Sequence, residues 1–149
     1  MKTLLDDETD WLFEGASYDE ELRLYLVEGF ESEVPEEDAQ GGVAVDVHPL
    51  TTTDESRRYE LRFPRPIAWQ CTEADLVQPD LGAQADDDGV VQILAGSAFV
   101  AFHDAEGLET ELGPLRHFRV RTEDEVVDVI CDAAPELRLV PIEEYAERS

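Results

Sequence analysis

The sequence has few of the residues that cross-link, anchor or target a small protein. Its two cysteines, Cys71 and Cys131, are too few for a disulfide framework, so we expect both to be small buried hydrophobic residues. No apolar run approaches the ~20 residues of a membrane-spanning helix. The opening "MKTLLDDETDW" turns acidic after one lysine and lacks the apolar stretch of ~7–15 residues found in a signal peptide. These absences predict a cytoplasmic protein with no membrane partner.

Basic residues are also scarce. Lys and Arg number 11 against 37 Asp and Glu, the net charge is -26, and Lys2 is the only lysine. Such a chain repels nucleic acid, which we exclude as a partner. Acidic residues occur in nearly every predicted loop, which favours a general cause, such as adaptation of a proteome to high internal salt. The alternative is an acidic face that binds a basic protein partner, such as a nuclease or toxin.

Helical periodicity is rare, whereas alternation of apolar and polar residues is common and predicts strands. Alternating segments begin near residues 21, 43, 57, 66, 116, 125 and 135. The predicted inward-facing sets are Leu22, Leu24 and Leu26; Val43, Val45 and Val47; Tyr59, Leu61 and Phe63; and Ile67, Trp69 and Cys71. Opposite the third set, Arg58, Glu60 and Arg62 are predicted to face outward.

The nearly all-apolar run Val90–His103 allows two interpretations. It is either one central strand with a bulge at Gly96 and Ser97 or two strands joined by a tight turn there. The tail from Pro141 is predicted to start one exposed helical turn. No repeat or linker divides the 149 residues. We therefore predict a single mainly β domain with little helix, an antiparallel sandwich or partly open barrel of about eight to ten short strands.

The stretch "RHFRVRTEDEVVDVICD" predicts a β-hairpin. With Glu123 and Asp124 as a two-residue loop, Arg119 lies opposite Asp128 as a cross-strand ion pair. One face then carries Phe118, Val120, Val127, Val129 and Cys131, and the other carries His117, Arg119, Arg121, Asp128 and Ile130. Glu-Asp is not a favoured two-residue turn, so a longer loop with a shifted register stays open.

The arginines suggest a candidate anion site. Seven of the 11 basic residues fall in two segments, around residues 57–65 and 116–121. If these two strands are neighbours, they form a basic stripe that can bind carboxylate or phosphate. Its predicted members are Arg58, Arg62, Arg119, Arg121 and His117. The alternative is that local carboxylates, such as Glu60 and Asp128, neutralise these arginines in place.

Signals for catalysis and metal binding are weak. The histidines His48, His103 and His117 lack zinc-site spacing, so we expect no metal and no cofactor. Ser97 in "AGSAF" lacks the G-x-S-x-G pattern of a nucleophile elbow. Cys71, predicted to face inward, should be inert. We therefore expect no catalytic residue and a protein that is not an enzyme.

Residues 59–137 are similar to small uncharacterised bacterial proteins of the YxiG-like and immunity-like sort. The resemblance rests on "YELRFPRPIAWQCTEADL", then "GSAFVAF", then "LRHFRVRTEDEVVDVICDAAPEL". The matching positions are Glu73, His117, Phe118, Val127, Asp128, Val129 and Pro135. The resemblance implies a β-rich single domain and, for some relatives, a neighbouring toxin gene, but it implies no particular activity.

Three functional hypotheses follow. The first is an acidic immunity-like or regulatory protein that binds a basic protein partner. The second is a small-ligand, anion-binding or hydrolytic domain that uses the arginine stripe with His117 or His103. The third is a structural or oligomer-forming protein, a homodimer through an exposed edge strand.

Overall fold

The protein is described by a computed structural model for residues 1–32, 36–40, 43–47, 49–141 and 143–144, with only the backbone described in 36–40 and 43–47. Half of the chain is strand and 8% is helix. In chain order the strands are β1 (Asp10–Asp19), β2 (Glu21–Glu31), β3 (Glu36–Gln40), β4 (Val43–Val47), β5 (Leu50–Thr51), β6 (Arg58–Phe63), β7 (Pro66–Glu73), β8 (Gln84–Ala85), β9 (Val91–Ala95), β10 (Glu109–Thr110), β11 (Gly113–Pro114), β12 (Arg116–Arg121), β13 (Glu125–Cys131) and β14 (Glu136–Leu139). Helix α1 spans Ala98–Phe102, and a 3-10 turn spans Ala74–Leu76.

The strands form two main antiparallel sheets. The first sheet has the order β1-β2-β6-β14, with β5 beside β2, and the second has the order β7-β13-β12-β9-β8. Strands β3 and β4 pair with each other, as do β10 and β11. The architecture is an open sandwich and not a closed barrel. The prediction of a mainly β, antiparallel sandwich is therefore confirmed.

The core lies between the two sheets. Alternate residues of β2 and β6 face alternate residues of β12 and β13, as their sequence pattern predicts. Phe63 and Phe118 meet across the core with their ring centroids 5.8 Å apart. Trp11 closes one end, where its indole N–H donates to the Leu5 carbonyl at 3.0 Å. The fully buried residues include Leu22, Leu24, Leu26, Leu61, Phe63, Phe118, Val120, Val127, Val129 and Cys131.

The run Val90–His103 was predicted to be one bulged strand or two strands, and both predictions are wrong for its second half. Strand β9 ends at Ala95, and the chain then forms helix α1. Gly96 makes the change of direction at a φ of +69°, where a Cβ would lie 2.9 Å from the Gly82 carbonyl oxygen. Ser97 then caps the helix by accepting the Val100 amide. An apolar run of this length does not distinguish a buried strand from a short buried helix.

The predicted burial of β7 is wrong as well. Ile67, Trp69 and Cys71 are exposed, although they share a face with the buried Val127 and Val129. The alternation therefore assigned the correct face. The exposure arises because β7 is the edge strand of its sheet, where the sandwich is open.

Other differences are local. Strand β1 has no counterpart among the predicted strands. Glu60 was expected to face outward but is buried, because Arg138 and Arg23 contact its carboxylate. His48 and the side chains of β4 lie outside the described residues. Of the predicted turn after Pro141, only Glu143 and Glu144 are described, and both are helical. Within the described ranges, no helix is long and apolar enough to cross a membrane.

Candidate functional site

The hairpin of β12 and β13 has the register that the sequence predicts. Arg119 pairs with Asp128, Val120 with Val127 and Phe118 with Val129. The Thr122 amide donates to the Glu125 carbonyl at 2.9 Å, which closes the loop at Glu123 and Asp124. The Arg119 Nε donates to the Asp128 Oδ1 at 2.8 Å. The expected cross-strand ion pair is therefore present.

The outer face of this hairpin is covered around His117 and Asp128, whereas Arg121 on the same face is exposed. His117 is 1% exposed and Asp128 2%, because helix α1 packs over this part of the second sheet. His117 Nδ1 lies 2.7 Å from the Ser97 Oγ, and its Nε2 lies 2.6 Å from the Asp128 Oδ1. Gln70 Nε2 on β7 donates to the Asp128 Oδ2 at 3.3 Å. We call these residues the buried polar network: Ser97, His117 and Asp128, which are buried, with the partly buried Arg119 and the exposed Gln70 at its border.

Asp128 is the acceptor at the centre of the buried polar network. Burial, the largest single influence, raises the pKa of its carboxyl group. The hydrogen bonds from His117 and Arg119, together with their charges, outweigh burial and lower the pKa below its ordinary value. Asp128 is therefore ionised at neutral pH and holds three side chains in place.

Ser97, His117 and Asp128 are the residue types of a hydrolytic triad, but their geometry suits a structural role better. Ser97 Oγ accepts the Val100 amide at 3.2 Å, and the neighbouring Ala98 amide donates to the Asp80 carboxylate at 2.7 Å. Ser97 is only 3% exposed and does not line the adjacent cavity. A substrate carbonyl thus finds neither an open nucleophile nor a free amide beside it. The buried polar network instead fastens α1 to the sheet.

A groove lies directly over this network, with a cavity volume of about 750 Å³. Its floor is the outer face of the second sheet, where Gln70, His117, Arg119 and Asp128 lie. One wall is α1 and the other is the segment 76–81 that follows β7. Three large apolar side chains stand at its walls, Leu76 at 63% exposure, Leu81 at 98% and Phe102 at 82%. We call this feature the outer groove.

The predicted anion-site residues lie in three places. Arg58 and Arg62 are on β6 of the first sheet, where Arg58 contacts Glu14 at 2.8 Å and Arg62 contacts Glu21 at 3.0 Å and also Glu136. His117 and Arg119 lie in the outer groove of the second sheet. Strands β6 and β12 are in different sheets, so the condition for one shared stripe is not met.

Arg121 lines a second cavity, of about 840 Å³, beside the N-terminal segment. Its guanidinium donates to the carbonyls of Gly89, at 3.0 Å, and Asp88. The N-terminal ammonium lies 2.5 Å from both Asp86 and Asp87. Arg121 thus binds backbone carbonyls at this cavity, and Asp87 binds the N-terminal ammonium.

Cys71 is exposed but not activated. Burial of the sulfur within the strand raises the pKa of the Cys71 thiol to about 11, and the hydrogen-bonded carboxylate of Glu125 adds to the effect. The thiol stays protonated at neutral pH, so the expected lack of reactivity agrees with its surroundings. Among the residues that the structure describes, no three His, Cys, Asp or Glu side chains cluster as metal ligands.

The sequence could indicate only part of the outer groove. His117 and Asp128 share a face in the predicted register, which placed them near each other. Ser97, Phe102 and the segment 76–81 could not be added, because α1 was expected to be strand. No protein-family model, curated protein or solved structure matches this chain.

Proposed function

We propose that this protein is a cytoplasmic, immunity-like or regulatory binding protein that docks a basic protein partner in the outer groove. The observation that carries the proposal is the combination of exposed Leu76, Leu81 and Phe102 with a net charge of -26. Large apolar side chains grouped at a surface commonly mark an interaction site.

The distribution of charge favours a basic partner over an acidic one. Arg57 contacts Glu28 at 2.7 Å and Asp7 at 3.2 Å, and Arg138 contacts Glu60 and Glu144 at 3.0 Å each. Arginines neutralised in this way offer little to an acidic ligand, whereas the surplus carboxylates face solvent. Charge complementarity then steers a basic partner and weakens as salt is added.

Exposed carboxylates lie close in sequence to the apolar residues of the outer groove. Exposed Asp75 precedes Leu76, and exposed Asp104 lies two residues after Phe102. A cavity of about 750 Å³ has room for a few apolar side chains from one helix or extended segment. The partner segment is therefore amphipathic, with apolar residues on one side and Lys or Arg on the other.

The direct test uses a designed peptide as the probe. We expect a fluorescein-labelled amphipathic helical peptide of net charge about +6 to bind, as measured by fluorescence anisotropy. Its affinity should fall at least about tenfold between 50 and 300 mM KCl. The double variant Leu81→Ser/Phe102→Ser should weaken binding by at least about tenfold, because two apolar anchors are lost.

The matched control is Leu139→Ser, which removes a side chain 54% exposed on the first sheet, outside the outer groove. It should leave the affinity unchanged. A peptide of the same composition in scrambled order should bind much more weakly. Docking in the outer groove would be contradicted if the designed and scrambled peptides bound equally well. It would also be contradicted if the double variant bound the designed peptide as tightly as the native protein does.

The second hypothesis, an anion site, retains one supporting observation: His117 and Arg119 both border the outer groove. Asp128 already accepts hydrogen bonds from both side chains. We therefore expect isothermal titration calorimetry to detect no saturable binding of inorganic phosphate. Stoichiometric binding that is lost in Arg119→Gln would favour the anion site instead.

A further inference from the structure

An exposed patch without charge lies at the edge of the second sheet, beside the open side of the sandwich. Residues 66–72, "PIAWQCT", contain no charged side chain in a chain that is 32% Asp, Glu, Lys and Arg. Residues 15–18 of β1, "GASY", are also uncharged. Tyr18 and Trp69 bring the two segments together, with ring centroids 6.2 Å apart. We call these two segments the edge patch.

The large side chains of the edge patch lie on the core face of their sheets but are only partly covered. Ile67 is 52% exposed, Trp69 37% and Tyr18 56%. Trp69 lies beside Val129 in the sheet, and Val129 is fully buried. The apolar layer between the two sheets therefore continues outward to β7 and ends there at the surface.

The backbone of β7 is open on the same side. In the described part of the chain β7 pairs only with β13, so its outer edge presents unpaired amides and carbonyls. Eight residues extend about 27 Å, enough for a partner strand. Natural sheets usually protect such an edge with charges, prolines or bulges, and here Pro66 and an irregular register at Ile67 protect only the first end of the strand.

We propose that a second copy of this chain pairs with β7, antiparallel and about a two-fold axis at Trp69. In this register Trp69 faces its own counterpart, Ile67 faces Cys71 and Ala68 faces Gln70. Arg65, which is 57% exposed and contacts Asp132 of its own chain at 3.5 Å, lies opposite the exposed Glu73 of the second copy, once at each end of the interface. The segment "RPIAWQCTE" is thus complementary to itself in charge.

The net charge explains why the second copy binds here. Elsewhere the approach of two chains of -26 brings carboxylate against carboxylate, whereas the edge patch is uncharged and ends in one base and one acid. The interface joins two five-stranded sheets into one and covers Ile67, Trp69 and Tyr18. Its area lies at the low end for specific complexes, so we expect a dissociation constant in the micromolar range.

The association should respond to salt in the opposite sense to binding of a basic partner. Added KCl screens the repulsion between two acidic chains and should strengthen the dimer. Sedimentation equilibrium of the full chain, at roughly 1–200 μM in 0.15 and 1 M KCl, measures this response. A monomer at every concentration and salt would overturn the proposal.

A charge-exchange cycle tests the register, and the double variant separates a change at the interface from the loss of the Arg65 contact with Asp132. Arg65→Glu and Glu73→Arg should each weaken the dimer about three- to tenfold, since each change places like charges opposite each other twice. The double variant Arg65→Glu/Glu73→Arg should restore the affinity to within about twofold of the original. Equal dimerisation of all four proteins would place the interface elsewhere and overturn the register.

The outer-groove variant Leu81→Ser/Phe102→Ser serves as the control. It should leave the dimer unchanged, while Arg65→Glu should leave the peptide affinity of the outer groove nearly unchanged. A dimer lost in the groove variant would contradict the assignment to β7.

Discussion

At the residue scale, Asp128 shows how a charged side chain on a predicted solvent face becomes part of the interior. The sequence placed Asp128 opposite Arg119, and the structure adds hydrogen bonds from His117 and Gln70. A buried carboxylate is stable only where such donors replace water. Replacing it with asparagine leaves Arg119 and His117 with one neutral amide oxygen as their acceptor and no compensating negative charge.

We therefore expect Asp128→Asn to reduce the free energy of unfolding by about 2–4 kcal/mol, as measured by urea denaturation. Asp75→Asn, at an exposed carboxylate of the 3-10 turn, is the control and should cost less than about 0.5 kcal/mol. A cost for Asp128→Asn as small as that of the control would mean that the buried polar network does not hold the fold.

The pH dependence follows from the lowered pKa of Asp128. A carboxyl group whose pKa is lower in the folded than in the unfolded state stabilises the fold above its unfolded pKa, about 3.9 for Asp. This contribution is lost as the pH falls through the lower folded pKa. The stability difference between the native protein and Asp128→Asn should thus be constant from about pH 7 to 5 and shrink below about pH 4. A difference that stays constant down to pH 3 would contradict the assignment.

At the element scale, the strands with one buried face were predictable and the elements beside them were not. The register of β12 and β13 follows from apolar alternation, because a slip of one residue would turn Phe118 and Val120 to the outside. Alternation in β7 gave the correct face for Trp69 but could not show that the strand lies at an edge. Whether a strand is central or at an edge depends on the order of the strands in the sheet. The sequence of a single strand does not reveal that order.

Helix α1 was missed because its five residues are too few to show a helical period. It forms because Gly96 turns the chain and Ser97 caps the helix. Its position over the sheet buries His117 and creates one wall of the outer groove. The candidate site could therefore be predicted only as far as the sheet residues His117, Arg119 and Asp128.

Ser97 is therefore the key residue for the start and the position of helix α1. Ser97→Ala removes both the cap to the Val100 amide and the contact with His117, so we expect a loss of about 1–3 kcal/mol. Ser17→Ala, at an exposed position of β1, is the matched control and should be nearly neutral. Thermal and urea denaturation of both variants measure the difference, and equal stabilities would mean that Ser97 is dispensable.

At the scale of the whole molecule, the excess of negative charge is the dominant feature. A net charge of -26 on 149 residues destabilises the compact state through mutual repulsion, although local ion pairs hold the arginines. We propose that the same charge favours a basic partner at the outer groove and limits self-association to the edge patch. Composition alone predicted this tendency, whereas the locations of the two surfaces needed the sheet order.

Salt should therefore stabilise the protein. We expect the melting temperature to rise by at least about 5 °C between 0.05 and 1 M KCl, as measured by differential scanning calorimetry. Sucrose at equal osmolality is the control. It is excluded from the protein surface but does not screen charge, so it separates the two causes of stabilisation. A melting temperature that does not change with KCl would contradict the role assigned to repulsion.

The central claim is that the outer groove is the docking surface for a basic amphipathic segment. The most direct test is a titration of the ¹⁵N-labelled protein with the amphipathic basic peptide, followed by chemical-shift mapping. The account predicts that the largest shifts fall on the two walls, residues 76–81 and Ala98–Phe102. Shifts spread evenly over the acidic surface, or concentrated around Arg58 and Arg62 on the first sheet, would contradict it.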